Sequence, residues 1–434
     1  MARRFDSSDS NFAEAFTSFL KEPRGNAQDT REIVREILDR VAAEGGAAVA
    51  DYTLKFDRFE IDPQTLKNPT MDLKALADTC PQNVRDAIDF AHDRIATYHK
   101  AQMPADHSFD DGFGMQLGWR WTPLDSVGVY VPGGRANYPS SVLMNMVPAK
   151  VAGVKRIVMV APTPDGVLSP AVAYAALRAG VEEFYPIGGA QAVAALTFGA
   201  GDLKPVDKIV GPGNAFVTEA KRQVFGKVGI DTVAGPSEVC IIGDASVSPD
   251  WIAADLLSQA EHDPSAQSIL ISPDADYLDA VEAALDAQLD VLPTKETASV
   301  SWATHGAMVK ATSLEDACEI SNQIAPEHLE LAIEAPETQI DNVRHAGAVF
   351  MGAWAPEALG DYVTGSNHVL PTSGAARFAS GLGLFDFLKR ISIQSANRAG
   401  FEHLAGAAMA LAQSEHLPAH ERSVSIRFGK ESGL

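Results

Sequence analysis

Two short segments carry residue types that move protons and hold metals. The first is Gln259-Ala260-Glu261-His262-Asp263. Residues three apart share a helix face, so the Gln259 amide oxygen and a His262 ring nitrogen can converge on one point. Alone, such a pair is more often a polar helix end than a metal site. Four ligands need a further acid and histidine from elsewhere. Asp361 and His368, in Gly360-Asp361-Tyr362-Val363-Thr364-Gly365-Ser366-Asn367-His368, are candidates, and so is His420, in His416-Leu417-Pro418-Ala419-His420. No cysteine lies near these motifs. A metal here would have nitrogen and oxygen ligands and keep an open position, which favours catalysis or substrate binding. The second segment is Ala325-Pro326-Glu327-His328-Leu329-Glu330-Leu331. An acid beside a histidine, entering an apolar strand, suits general acid–base work. The local alternative is a capped loop with two solvated side chains.

Two glycine turns, Gly188-Gly189 and Gly211-Pro212-Gly213-Asn214, fall between an apolar run and a helical segment. A tight turn there aims free N–H groups and the positive helix end outward, where a pyrophosphate can sit. Neither turn is GxGxxG, because Phe216 holds the third glycine position, and no acid is securely placed for a ribose. Taken alone, such turns are more often plain strand-to-helix connections.

Positioning these groups falls to a repeating alternation of elements. An amphipathic helix is expected over 29–44, with Asp29 and Glu32 as a capping box, Ile33, Ile37 and Val41 on one face, and Gly45-Gly46 as its stop. From about residue 125, short β-branched runs alternate with helical segments. Strands are expected at Val127–Val131, Arg156–Val160, Phe184–Ile187, Lys208–Val210, Val239–Ile242, Ser268–Ile271, Ala307–Val309 and Ala348–Met351. Helices follow Ser169-Pro170, Gly189, Asn214 and Ser248-Pro249, with others near 275–290 and 313–323. Such alternation implies parallel sheets in doubly wound α/β domains. The last fifty residues lack strand patterning and read as mostly helical.

The chain has 434 residues, enough for several domains, and is 46% hydrophobic, as a globular protein with a core should be. Its 35 basic and 57 acidic residues give a formal charge of -22, which argues against nucleic acid or an anionic membrane as main partner. Cys80, Cys240 and Cys318 form neither a disulfide framework nor a zinc knuckle, and Cys240 reads as a small buried residue. No secretory signal is evident and no run of about 18 apolar residues occurs, so a reduced cytoplasmic setting is expected.

Taken together and in order, these segments resemble histidinol dehydrogenase. The resemblance spans nearly the whole chain and is densest from Val127 to Ile393. Its carriers include Val131-Pro132-Gly133-Gly134, Tyr138-Pro139-Ser140-Ser141, both glycine turns, Ala234-Gly235-Pro236-Ser237-Glu238, Gln259 to His262, Pro326 to Glu330, Gly360-Asp361 and Asn367 to Thr372. The resemblance implies an NAD-dependent and zinc-dependent oxidation of L-histidinol to L-histidine through L-histidinal, with one zinc per subunit. It implies zinc ligands Gln259, His262, Asp361 and His420, and a catalytic pair Glu327 and His328. Substrate positions are Ser237, Gln259, His262, His328, Asp361, Glu415 and His420, and NAD positions are Tyr130, Gln191 and Asn214. The implied fold is two incomplete Rossmann-like domains with small helical arms at both ends, in an intertwined homodimer whose tails complete the partner's sites. The expected division is an arm over 1–24, a first domain over 25–128 and 239–382, a second over 129–238, and a C-terminal arm over 383–434. Two departures stand out: His416 occupies a position where the family often has glycine, and Arg135 follows the first Gly-Gly turn. A metal-dependent hydrolase and a non-catalytic two-domain binding protein are the rival readings.

Overall fold

A computed structural model describes residues 2–24, 30–68, 71–133 and 138–429. The strands are β1 (Arg3–Asp6), β2 (His107–Asp110), β3 (Met115–Pro123), β4 (Ser126–Tyr130), β5 (Arg156–Val160), β6 (Glu183–Tyr185) and β7 (Lys208–Val210). They continue as β8 (Gly229–Ile230), β9 (Glu238–Gly243), β10 (Gln267–Ser272), β11 (Ala307–Lys310), β12 (His328–Ala332), β13 (Ala348–Met351) and β14 (Leu388–Ala396). The chain divides into two compact units, Met1–Gln102 with Leu124–Phe387, and Met103–Pro123 with Leu388–Leu434.

The first unit holds two parallel sheets, ordered β1-β11-β10-β9-β12-β13 and β6-β5-β4-β7-β8. Their central strands are apolar on both faces because helices cover both. In β9, Val239 and Ile241 point to one layer, with Leu256, Leu257 and Leu278. Cys240 and Ile242 point to the other, with Phe16, Cys318 and Ile320. This period of two is what an apolar run needs to fill two cores at once. The apolar stretch after residue 138 becomes the helix Pro139–Ala152, buried almost all round, and then β5.

The expected strands from residue 126 onward are present, most within one or two residues of the expected bounds, but three segments differ. The helices Arg31–Glu44 and Gly46–Asp57 share a core with the five-stranded sheet, where Val34, Ile37, Leu38 and Val41 meet Val193 and Leu196. The expected division gave them to the other domain. Periodicity reveals that a helix has an apolar face, not which sheet receives it. Ile33 is not part of that core. Gly45, at φ 60, breaks the first helix, and the second starts at the next residue. The expected cap Asp29 lies outside the described residues. At the N-terminus, β1 pairs in parallel with β11, so the arm extends a sheet as well as carrying the helix Phe12–Leu20.

In the second unit, β14 pairs antiparallel with β3 over nine positions, and β3 with β2. The helices Arg398–Ser414 and Pro418–Ser425 follow. A strand at 388–396 departs from the helical expectation. Its partner is far off in sequence, and it is exposed along nearly all its length, so no apolar run announces it. His416 adopts φ 57, a left-handed conformation that explains why glycine suits this position.

Candidate functional site

A cavity of about 390 Å³ in the first unit collects most of the chemically suited residues: Ser237, Gln259, His262, Glu327, His328, Asp361 and His368 all line it. Three strand or helix ends bring them there. The helix Pro249–Ala260 ends at Gln259 and Ala260, and His262 follows one residue past its cap, with its N–H on the Gln259 carbonyl. β12 begins at His328, directly after Glu327, and pairs with β9 so that His328 lies opposite Val239. The short helix Glu357–Tyr362 presents Asp361. A Cβ on its Gly360 would lie 2.3 Å from the Phe350 ring, so only glycine allows this helix to sit so close to the strand.

Three histidines on this wall share one arrangement. Nδ1 of His328 lies 3.0 Å from the Glu238 carbonyl, Nδ1 of His262 2.8 Å from that of Ser258, and Nδ1 of His368 3.0 Å from that of Asp361. A carbonyl only accepts, so each Nδ1 carries the hydrogen and each neutral ring keeps its lone pair on Nε2. Metal-binding and proton-accepting histidines are oriented in this way. Burial pushes the His328 imidazole down to about 4, with Asp361 opposing, so the ring is neutral near pH 7 and its Nε2 can accept a proton. Burial also lowers His368.

Gln259 is fully buried, and neither its Oε1 nor its Nε2 has a partner among the described residues. An unpaired buried amide costs about 1–3 kcal/mol, which a ligand on Oε1 would offset. The donor set thus fits a metal held by nitrogen and oxygen. His328, Glu357 and Asp361 form a second grouping, with one potential ligand atom each, all within 4.8 Å of one another. Glu357 was not among the expected residues. It begins a short helix and has no motif around it, and its N–H donates to Glu330 Oε1 at 2.7 Å. Burial first, then Asp361 and Glu330, raise its carboxyl well above the usual range.

The peptide of Glu238 supports both members of the expected catalytic pair. Its N–H donates to Glu327 Oε2 at 2.9 Å, and its carbonyl accepts from His328. Burial raises the Glu327 carboxyl well above normal, while that N–H pulls it down. A carboxylate with raised proton affinity is a better general base. The side chain of Glu238 is itself held by the Arg24 guanidinium and by the Ser373 N–H at 3.0 Å.

A second cavity, of about 530 Å³, lies at the ends of β4, β6 and β7 and is lined by Tyr130, Gln191 and Asn214. These are the three expected cofactor residues. The Tyr130 hydroxyl accepts from the Gly189 N–H at 3.0 Å, and burial pushes it up to about 12. Asn214 caps the helix Ala215–Val224 through its side-chain oxygen, leaving its amide N–H groups as donors. In the wall of the first cavity, the buried Lys221–Asp231 ion pair grips Gly211 from both sides: Lys221 Nζ donates to its carbonyl at 3.0 Å, and its N–H donates to Asp231 at 2.7 Å. Gly211 has φ 113, and a Cβ there would lie 2.1 Å from the Tyr130 carbonyl. Glu415 and His420 belong to the second unit, where both are exposed. Gly134 and Arg135 lie outside the described residues.

A model of the family described as histidinol dehydrogenase matches residues 20–428. The histidinol dehydrogenase of Caulobacter vibrioides is 54% identical over 426 residues, which cover 98% of this chain and 99% of that protein. That of Mesorhizobium japonicum is 52% identical over 428 residues, covering 99% of this chain and 100% of the relative. The crystal structure of histidinol dehydrogenase from Elizabethkingia anophelis matches with a TM-score of 0.93 and 34% identity, covering 99% of this chain and 98% of that one.

Proposed function

From the premise that this chain belongs to the histidinol dehydrogenase family, and is thus an oxidoreductase of histidine biosynthesis, we propose that it performs the zinc- and NAD-dependent four-electron oxidation of L-histidinol to L-histidine by way of L-histidinal. The observation that supports this best is the wall of histidines with Nε2 lone pairs beside the partnerless Gln259 amide and the Asp361 carboxylate. In this reading Gln259, His262, Asp361 and His420 hold the zinc. Ser237, His328, Asp361, Glu415 and His420 hold the substrate, and Tyr130, Gln191 and Asn214 hold NAD. Glu415 and His420 come from the partner subunit of a homodimer, and the enzyme works in the cytoplasm.

Zinc held by Gln259, His262, Asp361 and His420 would position the substrate, and NAD held by Tyr130, Gln191 and Asn214 would accept hydride from its carbinol carbon. His328 takes the hydroxyl proton at Nε2 as that hydride leaves. Its Nδ1–H stays on the Glu238 carbonyl, which keeps the ring oriented through the transfer. Glu327 then takes a proton from the water that adds to the aldehyde, while His328 returns its proton to the carbonyl oxygen, giving the hydrate. His328 Nε2 takes a hydroxyl proton of the hydrate as a second hydride leaves to a second NAD, and the carboxylic acid loses its proton to water to give the carboxylate. Keeping the aldehyde bound between the two oxidations protects it from side reactions.

The test is a count. Metal-loaded protein given excess NAD and a limiting amount of L-histidinol should form two NADH for each histidine. One NADH per histidinol with aldehyde as end product, or no NADH at all, would overturn the reading. The second result would restore a hydrolase.

A further inference from the structure

We infer that Asp57 receives the ribose hydroxyls of the adenosine half of NAD and excludes a cofactor phosphorylated at the 2′ position. The inference rests on the cofactor reading of the cavity that Tyr130, Gln191 and Asn214 line.

Asp57 is the last residue of the helix Gly46–Asp57 and lines the same cavity. It is 8% exposed, and its Oδ2 has no hydrogen-bond partner among the described residues. Its neighbour Arg58 turns away in a left-handed conformation and forms a two-pronged pair with Asp165, at 2.7 and 2.5 Å. Across the cavity Gln191 is 1% exposed and its Oε1 is likewise without a partner. Both orphan atoms are oxygens that accept. A ligand that satisfies them must bring donors.

Of the parts of a dinucleotide, the vicinal ribose diol brings two O–H donors to one carboxylate. A 2′-phosphate brings only acceptors and negative charge to the same spot. Burial already raises the proton affinity of Asp57, and a third party of like charge would add repulsion. The surroundings favour the adenosine end. Ile33 and Phe56, 44% and 47% exposed, offer apolar surface on the cavity wall next to Asp57, with Ile37 behind. Lys55 lies on the Phe56 ring, 5.3 Å from its centroid, and can serve the pyrophosphate that both nucleotides share.

The usual ribose acid of a dinucleotide fold follows the glycine turn by about 20 residues, at the end of the second strand. Here it arrives from a helix that precedes the sheet in the chain. This helix is packed onto the sheet by Ala48, Val49 and Tyr52. Downstream of the Gly211 turn, Asp231 stands at the customary spacing, but it is committed to Lys221 and to the Gly211 N–H and lines the other cavity.

Calorimetric titration of the zinc-loaded protein with NAD, with NAD lacking the adenosine 2′-hydroxyl, and with NADP tests this without reference to turnover. The wild type should prefer NAD over both by at least about tenfold, as expected for lost bonds to a charged acceptor. Asp57→Asn should weaken NAD about tenfold and narrow its preference over NADP to a few-fold. Asp57→Ala should behave alike, with unchanged circular dichroism confirming the fold. A wild type that binds no nucleotide overturns the cofactor reading and this inference with it. A wild type that binds NAD, with an Asp57→Asn that keeps both affinity and discrimination, overturns this inference alone.

Discussion

At the scale of single residues, the site is a set of groups whose hydrogen-bonding choices are already made. Main-chain carbonyls fix Nδ1–H on His262, His328 and His368, so what remains is a lone pair aimed at a common space. Two carboxylate-containing groupings compete for a metal. One is the proposed set with Gln259 and His262, and the other is His328, Glu357 and Asp361. A histidine that binds metal through Nε2 cannot also accept a proton there, so the second grouping would remove the base. We therefore expect His262→Asn to lose at least about tenfold in zinc affinity, and Glu357→Gln to keep its zinc. Metal content after dialysis against a buffered zinc solution checks both. The reverse pattern would move the metal to His328, Glu357 and Asp361. The motifs made Gln259, His262, Glu327, His328 and Asp361 legible in the sequence, because each sits in a segment with its own spacing. Glu357 and Asp57 have no such segment. Each is an ordinary acid at a helix end, and only tertiary placement turns it toward a cavity.

At the scale of elements, the strands from β4 to β13 were readable wherever parallel pairing demands a continuous apolar run. Most of the helices between them were readable from caps and glycine stops. Elements whose partners are remote were not. β1 and β14 are largely exposed and carry no continuous apolar run, and the helices over 31–57 show an apolar stripe without an address. Those helices matter, since they supply one wall of the cavity proposed to hold NAD. The strand order also explains why Glu238 matters. Starting β9 beside β12 puts its peptide against both Glu327 and His328, so the proposed catalytic pair is aligned by the sheet itself. The Lys221–Asp231 pair does the same for the Gly211 turn, and breaking a buried pair of this kind typically costs about 3–5 kcal/mol.

At the scale of the whole molecule, no helix among the described residues is long and apolar enough to cross a membrane. The charge of -22 suits a surface that meets water and small cations better than polyanions. Of the proposed zinc residues, His420 belongs to the second compact unit. If the second unit serves the partner's site, neither Glu327→Gln nor His420→Asn should oxidise histidinol to histidine well as a pure homodimer. Mixed by subunit exchange, the two should recover activity, because one site of each hybrid then has both native residues. Proven hybrids without recovery would mean that each chain builds its own site.

The separation of roles between Glu327 and His328 is the centre of the account, and one measurement reaches it. In a single turnover with excess enzyme and NAD, the wild type should produce two NADH per histidinol. Glu327→Gln should keep a near-normal first NADH and slow the second by about 10²–10⁴-fold, because only the second oxidation needs water to be activated. A Glu327→Gln enzyme that slowed only the first NADH would reverse the two roles.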